Sequence, residues 1–155
     1  MTGVDRLTAL IRDVVAPALR ELGFRGSGQR FVLPDPERWL VVGVQRNRWN
    51  DASSLRFTVN LTAVGKQVWS EARVAATWLP AEPAANATYP IGRTTRVGAL
   101  LPNPHDLWWE LTPGVDGAAI AAEVVDAIRT VGLPWLRGQA GVGEATRTPP
   151  ADQTS

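Results

Sequence analysis

Two short runs of alternating side chains constrain this chain more than anything else in it. In Leu40, Val42 and Val44 the even positions are apolar, and in Leu55, Phe57, Val59 and Leu61 the odd ones are. Successive strand residues point to opposite faces, so each run reads as a strand with one dry side. Between them lies Asn50-Asp51-Ala52-Ser53-Ser54, a polar turn. Arg38 to Trp49 and Leu55 to Val64 therefore pair antiparallel. Register follows from burial, because a slip of one residue would turn every apolar side chain outward. Placing Val44 near Val59 and Val42 near Leu61 collects both apolar sets, with Arg48 near Leu55 at the turn end. The opposite face then carries Gln45, Asn47, Thr58, Asn60 and Thr62 together.

The flanking segments supply more strands and two amphipathic helices. Val4 to Leu22 repeats Leu7, Leu10, Ile11, Val14, Ala18 and Leu22 at three- and four-residue spacing, and Gly23 stops it. Pro17 conflicts with that helix: it removes a backbone hydrogen bond and crowds the preceding turn, costing about 3 kcal/mol. A kink or break near Asp13 to Pro17 is expected. Arg25 to Gly28 reads as a turn, and Gln29 to Leu33 as a short strand closed by Pro34-Asp35-Pro36. Val68, Trp69, Ala72, Ala75 and Ala76 fit a short helix within Gly65 to Trp78. Pro80 to Pro90 is a Pro/Ala-rich loop. Thr94 to Leu101 and His105 to Leu111 read as further strands. Asp116, a suitable N-cap, opens a helix to Val131 that Gly132-Leu133-Pro134 ends. Trp135 and Leu136 pack back as a last turn. No internal repeat stands out.

The predicted fold class is α+β: an antiparallel sheet of about five strands with N- and C-terminal helices packed on one face. Residues 1–137 form a single domain, and 138–155, rich in Gly, Ala, Thr and Pro, form a disordered tail. The chain of 155 residues is long enough to bury a real core, and 45% of it is hydrophobic. A net charge of +1 points to neither nucleic acid nor an anionic membrane surface. The absence of cysteine excludes disulfides, thiolate zinc sites, iron–sulfur clusters and a cysteine nucleophile. No secretory signal is read at MTGVDRLTAL, and no apolar run approaches the roughly 20 residues of a membrane span. A cytoplasmic location is the expectation.

Several pieces, in order, resemble a bacterial family, domain of unknown function 4304. They are the Leu19-Arg20-Glu21-Leu22-Gly23-Phe24 helix end, the basic turn and aromatic strand from Arg25 to Phe31, and Val44-Gln45-Arg46-Asn47. Phe57 to Leu61, Arg96-Val97-Gly98-Ala99-Leu100 and the tryptophan-rich Asp106 to Leu111 complete the pattern. The resemblance covers about Leu7 to Leu136 and implies the α+β fold. It implies no activity. Pro17 and the loop at Pro80 to Pro90 depart from the family's pattern.

Candidate chemistry is sparse. His105 is the only histidine, so no histidine-rich metal site can form, and its place between Pro104 and Asp106 is that of a turn residue. The acids Asp35, Glu37, Asp51, Asp106, Glu110 and Asp116 are scattered. Arg25-Gly26-Ser27-Gly28 follows a helix and enters a strand, the reverse of a phosphate loop, and lacks its lysine. No catalytic residue, metal or cofactor is expected. Between Arg25 and Arg56 six arginines face three acids, with Phe31, Trp39 and Trp49 among them. Single-stranded nucleic acid uses such a surface, but arginines at strand ends also simply guard edges.

The seven tryptophans are more telling. Trp108 and Trp109 on one strand must face opposite sides. A tryptophan beside convergent amides makes an amphipathic patch of the kind binding sites use. The preferred reading is a non-enzymatic binding domain that offers Gln45, Asn47, Trp49, Asn60, Arg96, Trp108 and Glu110 to a protein partner. By fold-level analogy it would be an accessory or immunity-type partner. The alternative is a ligand-binding domain or enzyme in which Gln45, Asn60, Arg96 and Glu110 line a pocket. Single-stranded nucleic-acid binding ranks third. Oligomeric state is open.

Overall fold

A computed structural model of the protein describes residues 2–47 and 52–139. Arg48, Trp49, Asn50 and Asp51, and the tail from residue 140 on, lie outside the described residues. So do the expected pairing of Arg48 with Leu55 and the expected site residue Trp49. The fold is α+β. Six strands form an antiparallel sheet in the order β1-β2-β3-β4-β5, with β6 also on β4. The strands are β1 (Arg25–Ser27), β2 (Arg30–Val32), β3 (Arg38–Arg46), β4 (Leu55–Gly65), β5 (Arg93–Arg96) and β6 (Trp109–Leu111). β5 takes Asn60 to Ala63 of β4, and β6 takes Leu55 to Phe57 of the same edge.

The central register is the expected one: Val44 lies opposite Val59 and Val42 opposite Leu61. Phe31 of β2 joins the same dry face opposite Val42. Helices cover it. The N-terminal rod runs as α1 (Gly3–Leu10), a π turn (Ile11–Val15) and α2 (Ala16–Glu21). The C-terminal rod runs as α4 (Gly117–Ala127), a second π turn (Ile128–Gly132) and α5 (Leu133–Arg137), with α3 (Lys66–Ala75) between the rods in sequence. Thr2 and Asp5 cap the first rod reciprocally, and the Asp116 side chain caps α4. Leu7, Ile11, Val15 and Leu19 from the first rod meet Val124, Ile128 and Leu136 from the last over Val44, Phe57, Val59 and Leu61. Phe57 stacks on Trp109, with ring centroids 5.6 Å apart.

Pro17 does not end its helix, but the regular α-geometry is interrupted over Ile11–Val15, within the stretch where a kink or break was expected. The π turn immediately before it widens the helix by one residue, and the Ala16 N–H bonds Ile11 O. That rearrangement accommodates a ring which lacks the N–H for the ordinary bond and would crowd the carbonyl four residues back. Pro134 is treated identically, so Gly132-Leu133-Pro134 does not stop the second helix as expected. The two helices share a short sequence match. Ile11-Arg12, Val14, Pro17 and Leu19-Arg20 recur in the same spacing as Ile128-Arg129, Val131, Pro134 and Leu136-Arg137. The same spacing accompanies a π turn in both places.

Other boundaries moved for local reasons. The turn at Arg25 includes strand β1, because Gly26 at φ +128° lets the chain approach Arg30 closely. The strand expected from Thr94 ends at Arg96 and becomes a 3-10 turn, Val97–Leu100. There Gly98 lies so near the backbone of residues 105–107 that a Cβ would sit 2.3 Å from the His105 carbonyl oxygen. Only Trp109–Leu111 of the expected strand from His105 pairs. Gly138 closes α5, and Arg38 donates to the Gln139 carbonyl at 3.3 Å.

Candidate functional site

The second face of the sheet gathers the polar residues of β3 and β4. Alternation puts Trp39, Val41, Gly43 and Gln45 of β3 there, opposite Val64, Thr62, Asn60 and Thr58 of β4. This face is not uniformly open. Asn60 is only 8% exposed, Thr62 4% and Thr58 0%. Buried polar atoms need partners, and these have them. Asn60 Nδ2 donates to Gln45 Oε1 at 2.6 Å and to Asn86 Oδ1 at 2.9 Å, and its Oδ1 accepts a long 3.4 Å contact from Arg96 Nε. Asn86 Nδ2 donates to the Val44 carbonyl. The Thr58 hydroxyl donates to the Leu107 carbonyl at 2.7 Å.

Asn86 is the residue that the sequence reading missed. It sits in the Pro/Ala-rich loop in the left-handed region, at φ +64°, a conformation that asparagine tolerates better than most residues. The loop reaches it across the sheet, because Arg30 of β2 holds the Pro83 carbonyl and Glu82. Gly43 makes room: a Cβ there would lie 2.3 Å from Asn86 Oδ1. Trp69 of α3 anchors the loop's start, donating to the Pro80 and Ala81 carbonyls, with Tyr89 edge-on against its ring. The signal in the sequence was slight, a single asparagine among prolines and alanines.

At the other end of the face the side chains emerge. Trp108 is half-buried, with the Arg56 and Arg96 guanidinium carbons 5.4 Å and 5.0 Å from its ring centroid. Its indole N–H donates to Asp106 Oδ2 at 3.1 Å, and Arg96 donates to Asp106 Oδ1 at 2.9 Å. Glu110 lies 3.6 Å from Arg56 across the β4–β6 pair. The Trp108 indole and then the Arg96 guanidinium hold the Asp106 carboxyl below its ordinary value. Trp109 takes the dry face and donates to Glu123, so the two tryptophans divide as alternation requires.

The expected site residues thus fall into two groups. Gln45, Asn60 and Arg96 share one hydrogen-bonded chain, which Asn86 caps. Arg96, Trp108 and Glu110 belong to the emergent cluster, with Arg56 and Asp106. Asn47 bonds the Arg56 carbonyl through its backbone N–H, at the rim. Among the described residues no three His, Asp or Glu side chains gather as a cation site. His105 is exposed and its ring lies 2.8 Å from the Asn103 carbonyl. No described helix is long and apolar enough to cross a membrane.

Fold and face together define an α+β domain with a partly covered polar sheet and an aromatic–guanidinium cluster at one end. The family model of DUF4304, a domain of unknown function, matches residues 15–138. The chain belongs to that family. Neither a curated protein nor a solved structure matches it.

Proposed function

We propose that this domain is a cytoplasmic binding module that recognises a protein partner through the open end of its polar sheet face. The observation that carries this reading is Trp108, half-exposed and fixed in place by Asp106, Arg56 and Arg96. An indole with its one donor satisfied offers a rigid apolar plate at little further entropic cost, the usual composition of an interface anchor. The charges around it alternate, each arginine having a carboxylate partner. A mixed-charge protein surface complements that pattern better than a polyanion does, which counts against nucleic acid. The reading of a pocket at Gln45 and Asn60 has less support, since Asn86 occupies the space over Gly43 and uses the Asn60 amide.

The test is affinity capture from the native cell with three tagged proteins: wild type, Trp108→Ala and Arg56→Glu. A partner retained by wild type and lost from both variants, with melting temperatures within a few degrees, supports the reading. A partner retained equally by all three removes this face from consideration.

A further inference from the structure

A separate groove runs beside the N-terminal rod, away from the polar sheet face. We infer that it binds a single-chain anionic amphiphile of the fatty-acid class. The groove has a volume of about 390 Å³. Along the helix it is lined by Val4, which is exposed, and by the outer edges of Leu7, Ile11 and Ala16, whose bulk lies in the core. These residues follow helical spacing, so with Arg20 at its end the wall extends roughly 24 Å at 1.5 Å per residue. The β1–β2 turn, Ser27 to Gln29, stands opposite. Nothing lies within 4 Å of where a Cβ on Gly28 would be, so the turn does not close onto the helix.

Charge selects the occupant. Arg12, Arg20 and Arg46 line the groove and no Asp or Glu does. Arg12 is neutralised by Asp13 outside the groove, and Arg20 donates to the Gly26 carbonyl. Arg46 makes no ion pair among the described residues. An apolar channel with one guanidinium that has no ion pair among the described residues, and no acid among its lining, calls for an apolar chain with one anionic head.

Shape selects further. A docked helix is about 10–12 Å across and over this length needs several times the groove's volume. Against an extended peptide, the helical wall has already spent its backbone donors and acceptors internally. The peptide's own N–H and C=O groups would find no partners on that side. An acyl chain has none to satisfy. Two other described surface cavities make no such selection: the one beside Trp39 and Lys66 carries Asp35 and Glu82 as well as cations, and the one at Arg6 and Leu10 carries Asp13.

The experiment is calorimetric titration of the full chain with laurate, kept below its micellar concentration, beside dodecyltrimethylammonium and an acidic, leucine-rich peptide. Thr8 is exposed and lines the groove, so Thr8→Trp fills it without touching the core. Expected is saturable laurate binding, at least tenfold weaker in Arg46→Glu and absent in Thr8→Trp, with both variants keeping the wild-type circular dichroism. Dodecyltrimethylammonium should not bind. No saturable laurate binding, equal binding of the cationic amphiphile, unchanged laurate affinity in either variant, or binding of the peptide in place of laurate each overturns the assignment.

Discussion

Strand β4 has two faces that are both buried and are held in opposite ways. Its odd residues, Leu55, Phe57, Val59, Leu61 and Ala63, lie in the apolar core. Its even residues include Thr58, Asn60 and Thr62, none of them more than 8% exposed. On the dry face stability comes from area removed from water and from close packing, which are non-directional. On the other face each buried polar atom depends on a particular neighbour, so the arrangement is specified bond by bond. Depth is therefore a poor guide to composition here. What separates the faces is the kind of cover: helices with apolar stripes on one side, and a proline-rich loop ending in an amide on the other.

The contrast predicts a graded series of losses. Phe57→Ala is the largest, because it removes a buried ring that stacks on Trp109 and leaves a cavity. Chemical denaturation should find a loss of about 3–5 kcal/mol. Asn60→Ala comes next. It strands Gln45 Oε1 and removes a partner of Asn86, at a cost of about 1–3 kcal/mol. A loss below 0.5 kcal/mol, on the scale of a surface substitution (about ±0.5 kcal/mol), would show the covered face to be as indifferent as open surface. Gly43→Ala probes the same cover from below by driving a methyl group into Asn86, and overpacking of this kind costs about 1–3 kcal/mol. Combining it with Asn60→Ala should cost less than the sum, since both act through Asn86.

The two faces were also unequally legible. The dry face could be read because a period of two in Leu40 to Val44 and Leu55 to Leu61 admits one register for burial. The segregation of Gln45, Thr58, Asn60 and Thr62 onto the other side followed automatically. What covered that side could not be read, because Asn86 meets Asn60 through a contact 26 residues away that no local pattern encodes. The emergent cluster was half legible: Trp108 stood out by composition, but Arg56 was only one of several arginines and Asp106 one of several scattered acids. The π turns were missed for a different reason. Pro17 and Pro134 each look like helix breakers in isolation, and only the matched Ile-Arg…Val…Pro…Leu-Arg spacing around both reveals a shared solution.

At the open end the losses should become small. Trp108→Ala exposes little core, so its stability cost should stay near the roughly 0.5–1 kcal/mol of an exposed cation–π contact, even where it abolishes partner capture. Asp106→Asn is the smallest and the most diagnostic, because it removes the titrating group itself and its effect should depend on pH. The Asp106 carboxyl is held below its ordinary value of 3.8 by Trp108 and Arg96. A group whose folded pKa is depressed adds stability that is present above the unfolded pKa and is lost as pH falls through the folded one. Thermal melting of wild type and Asp106→Asn should thus show a constant small gap from neutral pH down to about pH 5. The gap should close below 3.8 as the wild-type carboxylate takes up its proton. The gap between wild type and Phe57→Ala should persist through the same range, since neither phenylalanine nor alanine titrates. If the Asp106 gap stayed open in acid, the indole and guanidinium contacts would not depend on the carboxylate's charge, and the cluster would be held by packing as the dry face is.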